Sequence, residues 1–290
     1  MPRRRQPTLR ERRLAAELRF LRETRQTTLA LVAEAIGWKT AKLGRIETAV
    51  SGISQKDLGV LLDYYGVTTE RTAQLMERAS TAGRRQWAAY EQFVAADYTE
   101  YLEMEVLAVG VRVFDTAVLH GRLQTEAYAR AIIEGHSMGL LSPGEIDRRL
   151  EIRMAPQSAL TRQANPLQVW VIIAETVLDT TVGTPEVMVG QMRHLLELAE
   201  LPNIDLQILP AAKGAHPGLT GAFAILEFPE TWEADVVYLE TMTRNTYLAE
   251  AHEVHRYSLA YRHLSAMALD PGESKALLAG RVGAQEAKSR

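Results

Sequence analysis

Two short apolar patterns at helical spacing, separated by only a few residues, constrain the fold more than any other feature of the sequence. The first is LALVAEAIG, residues 29–37, which Thr28 precedes as a candidate N-cap and a glycine ends. The second is TAKLGRIE, residues 40–47, with Leu43 and Ile46 on its inner face. This spacing is that of a helix-turn-helix motif, whose second helix enters the major groove of DNA.

Three more helices are predicted around this pair, at residues 8–24, 54–66 and 68–80. The last two open on serine and threonine residues, whose hydroxyls can cap a helix N-terminus. The sequence therefore predicts a compact all-α domain over residues 1–80.

Positive charge is concentrated at the N-terminal end of the chain. Residues 1–45 hold 12 Arg or Lys and 4 Glu, a net charge of +8, whereas the whole chain is −3. Arg3, Arg4 and Arg5 stand in a row within this segment. A localised positive field is expected where a protein approaches a duplex. The alternative is a solvated basic arm that has no partner.

The order of these helices resembles the repressor-like helix-turn-helix domains of the XRE family, over about residues 8–80. The resemblance rests on the segment LRFLRETRQTTLALVAEAIGWKTAKLGRIETAVSGISQKDLGVLLDYYGVT. It implies that the third helix reads DNA. It also implies an ion pair between Arg22 in the first helix and Glu47 at the end of the third.

The surface of the helix-turn-helix departs from that family at four places. Leu29 stands where a polar residue usually anchors a phosphate, and Lys39 replaces the Ser or Thr that usually caps the third helix. Gly44 replaces a mid-helix Ser, and Thr48-Ala49 replaces the Asn-Gly that usually ends the helix. DNA binding can persist with an altered sequence preference, or the domain can be a retained scaffold that no longer reads DNA.

Side chains with a cation or a hydroxyl in and before the helix-turn-helix are the candidate DNA contacts: Arg3, Arg4, Arg5, Thr28, Lys39, Thr40, Lys42 and Arg45. Those in residues 39–45 are sufficient for phosphate contacts and one base contact. We therefore expect a DNA partner, bound by a homodimer.

An aromatic and apolar stripe with steps of three and four follows this domain: Trp87, Tyr90, Val94, Tyr98 and Tyr101. It predicts connecting helices over residues 81–108 that pack in a dimer or between domains, with ligand contact as the alternative. Beyond it, helical patterns alternate with strand patterns such as GVRVFD and LQVWVIIAE. The fold class predicted for residues 109–290 is mixed α/β (α+β).

The second domain resembles the Scr-type C-terminal domain of unknown function, found in actinobacterial XRE regulators of the streptomycete type. The resemblance rests on GRLQTEAYARAIIEG, NPLQVWVIIAETVLD and DVVYLET. It implies a cytoplasmic transcription regulator, often paired with a small neighbouring protein. His120 and Arg122 depart from the family pattern and are candidate ligand or partner contacts. Pro156 is expected to kink the long helix that Ser142 opens.

Few residues suggest reaction chemistry. The chain has no cysteine, which excludes disulfides and thiolate nucleophiles. GHSMG matches the nucleophile elbow around Ser137, but a helix precedes it, so the end of a helix is the better interpretation. His252 and His255 share a helical face without a third ligand. No catalytic residue, metal or other cofactor is therefore predicted.

The glycine-rich loop KGAHPGLTGAF, residues 213–223, can present His216 and Thr220 to a small molecule or a partner protein. A purely structural turn is the alternative. The sequence has no apolar run of 18 residues, so no membrane span is predicted and we expect a cytoplasmic protein. The predicted function is a DNA-binding transcription regulator with a sensing domain. The alternative is a regulator-derived metabolite-binding protein or enzyme that has lost DNA reading.

Overall fold

The chain forms two units. The computed structural model describes residues 7–79, 93–94, 96–229, 235–242 and 244–288. Contacts divide the chain into Met1–Gln86 and Trp87–Arg290, a division that falls inside the predicted connecting segment. Several residues singled out in the sequence lie outside the described residues: Arg3, Arg4, Arg5, Trp87 and Tyr90.

The first unit is a bundle of short helices. Its described helices are α1 Leu9–Thr24, α2 Leu29–Ala35, α3 Thr40–Glu47, α4 Gln55–Tyr64 and α5 Thr69–Ala79. A side-chain hydroxyl accepts a backbone N–H at the start of all of these except α3: Thr8, Thr28, Ser54 and Thr68. Such a cap satisfies one of the amide donors that a helix N-terminus leaves unpaired.

The core of the first unit forms where the apolar faces of these helices meet. Its buried side chains larger than alanine come from all five described helices and from the turn after α4: Leu14, Leu18, Val32, Leu43, Ile46, Leu58, Leu61, Leu62, Tyr65 and Leu75. Burying a side chain of this size stabilises a fold by about 1.5–3 kcal/mol. The outer face of α3 is thereby held on a packed support.

The second unit is built on a mixed sheet. Its described strands are β1 Gly110–Asp115, β2 Gln168–Ala174, β3 Ile204–Leu209, β4 Phe223–Glu227, β5 Val236–Glu240 and β6 Asn245–Leu248. Their order is β3-β2-β1-β4-β5-β6, with β1, β2 and β3 parallel and the other pairs antiparallel. Helical crossovers join the parallel strands, as such connections require. The α+β fold class predicted from the sequence is confirmed.

Helices cover this sheet: α6 Ala96–Leu107, α7 Glu126–Ser137, α8 Pro143–Met154, α9 Glu175–Asp179, α10 Pro185–Leu198, α11 Ala251–Met267 and α12 Pro271–Lys288. Tyr261 and Leu264 of α11 pack on one sheet face against Phe114, Ile172 and Ile225. No described helix is both long and apolar enough to cross a membrane.

Two predicted features of the second unit take a different form in the structure. Tyr101 of the aromatic stripe is only 4% exposed, and its ring centroid lies 4.2 Å from that of Tyr238, so this part of the stripe is core of the second unit. The long helix expected to kink at Pro156 instead ends at Met154, where a 3-10 helix Ala155–Leu160 begins. Proline has no N–H to continue an α-helical ladder.

Candidate nucleic-acid interface

A tight turn sets α3 against α2. The Trp38 N–H donates to the Ala33 carbonyl at 2.7 Å, and the Gly37 N–H donates to the Glu34 carbonyl at 3.2 Å. Gly37 has a φ of +69°, a conformation that glycine adopts without a side-chain clash. This pair of bonds is a Schellman motif, which ends α2 and turns the chain into α3.

An ion pair fixes the inner face of α3. The Glu47 carboxylate accepts from Arg22 Nε at 2.9 Å and from Nη2 at 2.8 Å, and the two side chains are 3% and 12% exposed. Arg22 also donates to the Thr27 carbonyl at 3.1 Å, which ties α1 to the start of α2 and the end of α3. This is the contact that the family resemblance implied. Burial raises the pKa of the neighbouring Tyr65 to about 12, and the charge of Glu47 adds to that rise.

The outer face of α3 is open to solvent and carries small or polar side chains: Thr40, Ala41, Gly44, Arg45 and Thr48. Lys39, at the N-cap, and Arg45 are exposed and have no side-chain partner among the described residues. The Thr48 hydroxyl donates to the Gly44 carbonyl at 2.7 Å. The exposed cations of Lys39 and Arg45 therefore lie on either side of a surface formed by small side chains.

Lys42, expected to contact DNA, is held by groups of its own unit. Its Nζ lies 3.0 Å from Asp57 Oδ2 and 3.7 Å from the centroid of the Trp38 ring. Its side chain is 38% exposed, against 29% for Asp57. No local pattern predicts this pairing, because Asp57 is 15 positions away and belongs to another helix.

The two departures at Leu29 and Gly44 are neighbours in the structure. A Cβ added at Gly44 would lie 3.9 Å from Leu29 Cδ1, which is ordinary van der Waals contact. Leu29 packs against the core of the first unit. It therefore makes apolar contacts at the position where XRE domains usually have a polar residue that anchors a phosphate. The exposed Thr28 hydroxyl accepts the Leu31 N–H at 3.3 Å and keeps its own proton to donate.

In the second unit, His216 and Thr220 lie on the loop that follows β3. The His216 ring stands edge-on to Phe114, with centroids 5.8 Å apart, and its Nδ1 is buried with no hydrogen-bond partner in the described part of the chain. Thr220 is exposed and donates to the Pro217 carbonyl at 3.2 Å. A Cβ at Gly218 would lie 2.1 Å from Phe114, so only glycine permits this close approach.

His120 and Arg122 belong to a buried polar network. Arg122 is 3% exposed; its Nε donates to Glu105, and its Nη1 donates to the Pro156 carbonyl. The Tyr101 hydroxyl lies 2.9 Å from His120 Nε2 and donates to Glu105 at 2.9 Å. The guanidinium of Arg122 thus faces protein groups rather than solvent, and it holds α6 to the segment after α8.

Asp115, at the end of β1, joins this network through the backbone. Its Oδ2 accepts the His120 N–H at 2.7 Å, and the side chain is buried. Burial raises the pKa of Asp115 to about 7, although the hydrogen bond from His120 opposes the rise. Burial likewise lowers the pKa of the His120 imidazole to about 4. Asp115 was not singled out in the sequence, where it is only the last residue of a strand pattern.

The structure places Ser137 at the end of a helix and the histidine pair on a helix surface. Ser137 is the last residue of α7; its hydroxyl donates to the Glu134 carbonyl at 2.7 Å and accepts the Gly139 N–H at 3.2 Å. His252 and His255 are exposed on α11. Within the described ranges, no group of three or more His, Asp or Glu side chains could hold a metal ion.

A cleft that the sequence did not predict lies between the sheet and α11. It has a volume of about 340 Å³ and is lined by Arg112, Trp170, Glu227, Tyr261, Arg262 and Ser265. Tyr261 is 6% exposed, and its hydroxyl has no hydrogen-bond partner among the residues described. Arg262 is exposed and equally without a partner there, whereas Arg112 is paired with Glu227.

Comparison with known proteins covers both units. Residues 13–75 match the family described as "Helix-turn-helix domain", a domain that supports DNA binding by a regulator. Residues 98–280, more than half of the chain, match the family described as "Domain of unknown function (DUF5753)". No curated protein and no solved structure matches the chain. The chain belongs to the DUF5753 family and carries a helix-turn-helix domain ahead of the domain that defines it.

Proposed function

We propose that the protein is a DNA-binding transcription regulator of the XRE type, acting in the cytoplasm as a homodimer on two half-sites. The observation that carries the proposal is the outer face of α3, which is open and flanked by Lys39 and Arg45, two exposed cations with no side-chain partner among the residues that the structure describes. A helix supported in this way by a second helix fits the major groove.

The side chains of the outer face suggest how the contacts divide. Lys39, Arg45 and the Thr28 hydroxyl are placed for phosphates, which position the protein without reading sequence. Thr40 and the methyl group of Ala41 are placed for base edges, and an apolar methyl suits the methyl group of thymine. The basic arm at Arg3, Arg4 and Arg5 would add phosphate or minor-groove contacts.

Lys39→Ser tests this function because it separates stability from binding. Serine would supply the cap that α3 lacks and stabilise the first unit by about 1 kcal/mol. It would also remove one phosphate contact, so binding should weaken and the slope of log affinity against log salt should fall by about 1. Binding is measured by anisotropy with a labelled duplex from upstream of the gene that encodes the chain.

Lys213→Ser is the matched control, since it removes the same charge from an exposed position in the second unit. It should leave the salt slope unchanged. Wild-type protein that binds no duplex at low salt would overturn the proposed function and favour a metabolite-binding protein or enzyme.

For the second unit we propose a sensing role, in which a bound small molecule or a small partner protein alters the dimer and hence its fit to half-sites. The cleft beside α11 supports a small molecule with a planar ring and a carboxylate. Trp170 offers a surface for the ring, and the Tyr261 hydroxyl and Arg262 can bind the carboxylate. The loop at His216 and Thr220 and the region of His120 and Arg122 remain alternative contacts.

Tyr261→Phe tests the cleft because it removes only the hydroxyl. Benzoate and indole-3-carboxylate serve as probes, and tryptophan fluorescence and thermal stability are the measurements. Wild-type protein should be stabilised by at least one probe, and the variant should be stabilised less. Equal stabilisation of both proteins, or of neither, would contradict a carboxylate site at this cleft.

A further inference from the structure

Asp57 and Lys42 form an ion pair at the edge of the candidate DNA interface. Lys42 occupies the third position of α3, so it belongs to the first turn of the helix that would enter the groove. Asp57 occupies the third position of α4, where its N–H donates to Ser54 Oγ at 3.1 Å. The pair therefore joins the first turns of two successive helices.

Two contacts act on the same ammonium group. Asp57 pairs with the Lys42 charge at 3.0 Å, and the Trp38 ring attracts the same charge from 3.7 Å. Trp38 packs on the core, so the ring does not give way easily. A cation–π contact and a half-exposed ion pair each contribute at most about 1 kcal/mol, but both must be lost when Lys42 turns outward.

The three cations of the third helix are therefore not equivalent. Lys39 and Arg45 have no side-chain partner in the described part of the first unit, whereas Lys42 has two. The carboxylate of Asp57 also places a negative charge beside the surface that phosphates would approach. Both effects lower the attraction between this edge of α3 and DNA.

We propose that Asp57 withholds Lys42 from DNA and thereby sets the affinity and salt dependence of the helix-turn-helix. In the wild-type protein, Lys42 stabilises the turn between α2 and α3 through Trp38, and Lys39 and Arg45 hold DNA. The inference rests on the proposed function. Lys42 was expected to contact DNA; here it does not, and Asp57 limits DNA binding instead.

Asp57→Asn is the decisive variant. It retains the N–H that donates to Ser54 and a side chain of the same shape, so α4 keeps its cap. The Trp38 ring is then the remaining contact described for the Lys42 ammonium, and the flexible stem of the lysine can reach a phosphate at the rim of the groove. We expect about five-fold tighter binding at low salt and a salt slope steeper by about 0.9, the value for one additional phosphate contact.

The experiment uses the full chain and a labelled random-sequence duplex, because phosphate contacts do not depend on an operator. Wild type, Asp57→Asn, Lys42→Met and the double variant are titrated over a range of salt. Lys42→Met should leave the wild-type slope unchanged, and it should cancel the steeper slope of Asp57→Asn. Methionine is chosen because it keeps an apolar side chain against the Trp38 ring. Circular dichroism of each variant checks that it is folded.

Glu34→Gln is the matched control. Glu34 is exposed on α2 and its side chain has no partner among the described residues, so the variant changes net charge without freeing a lysine. A slope of Asp57→Asn equal to that of Glu34→Gln would overturn the inference. So would a slope that falls by about 1 in Lys42→Met, since Lys42 would then already contact DNA. Failure of the wild-type protein to bind any duplex would instead overturn the proposed function itself.

Discussion

Ala49 adopts a backbone conformation that suits glycine. It follows α3 with a φ of +54°, in the left-handed region, where the Cβ of an L-residue is crowded by the backbone. The XRE domains that the sequence resembles usually have Asn-Gly here, and glycine is the residue best suited to a left-handed helix end. The structure retains the conformation although the glycine is absent.

Ala49→Gly should therefore stabilise the first unit. Relief of the left-handed strain exceeds the added freedom of the unfolded chain, and the net gain should be about 1 kcal/mol. Hydrogen exchange of the α3 amides, followed by mass spectrometry, reports the free energy of unfolding of this unit. Ala30→Gly is the control: Ala30 is exposed within α2, so glycine there should destabilise by up to about 1 kcal/mol. Two variants that shift stability in the same direction would refute the strain at Ala49.

At the scale of elements, the Arg22–Glu47 pair decides how α1 and α3 are joined. Three hydrogen bonds join the buried Glu47 to the partly buried Arg22 and so connect the two helices. Removing one partner of a buried pair leaves the other desolvated and unpaired, which costs more than the pair contributes.

Arg22→Met should destabilise the first unit by about 3 kcal/mol, because Glu47 would remain buried without its cation. Arg19→Met is matched to it, since Arg19 lies one turn earlier on α1 and pairs with Glu23 at the exposed surface. That variant should change stability little, as exposed pairs do. Urea unfolding followed by circular dichroism compares them. If both variants lose the same stability, burial of the Arg22 pair does not account for the loss.

The elements that the sequence predicted best are those whose ends have local causes. The bounds of α3, Thr40–Glu47, were predicted because a glycine turn precedes the helix and its apolar period is short and regular. The strand GVRVFD was predicted from its own short run of apolar residues. β6, Asn245–Leu248, was missed because four half-buried residues at the end of a sheet carry no alternating pattern.

The features that could not be predicted depend on contacts between distant segments. No local pattern pairs Lys42 with Asp57, brings Tyr261 and Trp170 into one cleft, or buries Asp115. The order of the strands in the sheet could not be predicted for the same reason, because β4 pairs with β1 although β2 and β3 lie between them in the sequence. The structure therefore differs most from the sequence-based predictions at polar side chains whose partners lie far away in the sequence.

At the scale of the whole molecule, the buried Asp115 and the half-buried His120 of the second unit have opposite effects on how stability depends on pH. Unfolded, the Asp115 carboxyl has a pKa of about 3.9 and the His120 imidazole one of about 6.5. Folded, burial moves the pKa of Asp115 to about 7 and that of His120 to about 4. Glu105 raises the pKa of His120, whereas Arg122 and Arg153 lower it.

Between about pH 4 and pH 6.5, these two sites therefore bind one proton in either state: Asp115 holds it when the unit is folded and His120 when it is unfolded. Their contributions to the pH dependence of stability cancel in this window. Asp115 alone would make the folded unit less stable as pH rises, and His120 alone would make it less stable as pH falls.

Each single variant should uncover the effect of the other group. Relative to wild type, Asp115→Asn should gain stability as pH rises from about 4 to about 6.5, with a slope of up to about 1.4 kcal/mol per pH unit. His120→Gln keeps the N–H that donates to Asp115 and should lose stability with a slope of similar size and opposite sign. Calorimetry of the full chain at several pH values measures both slopes. Slopes of the same sign would show that one of the two groups is not held in its buried, uncharged form.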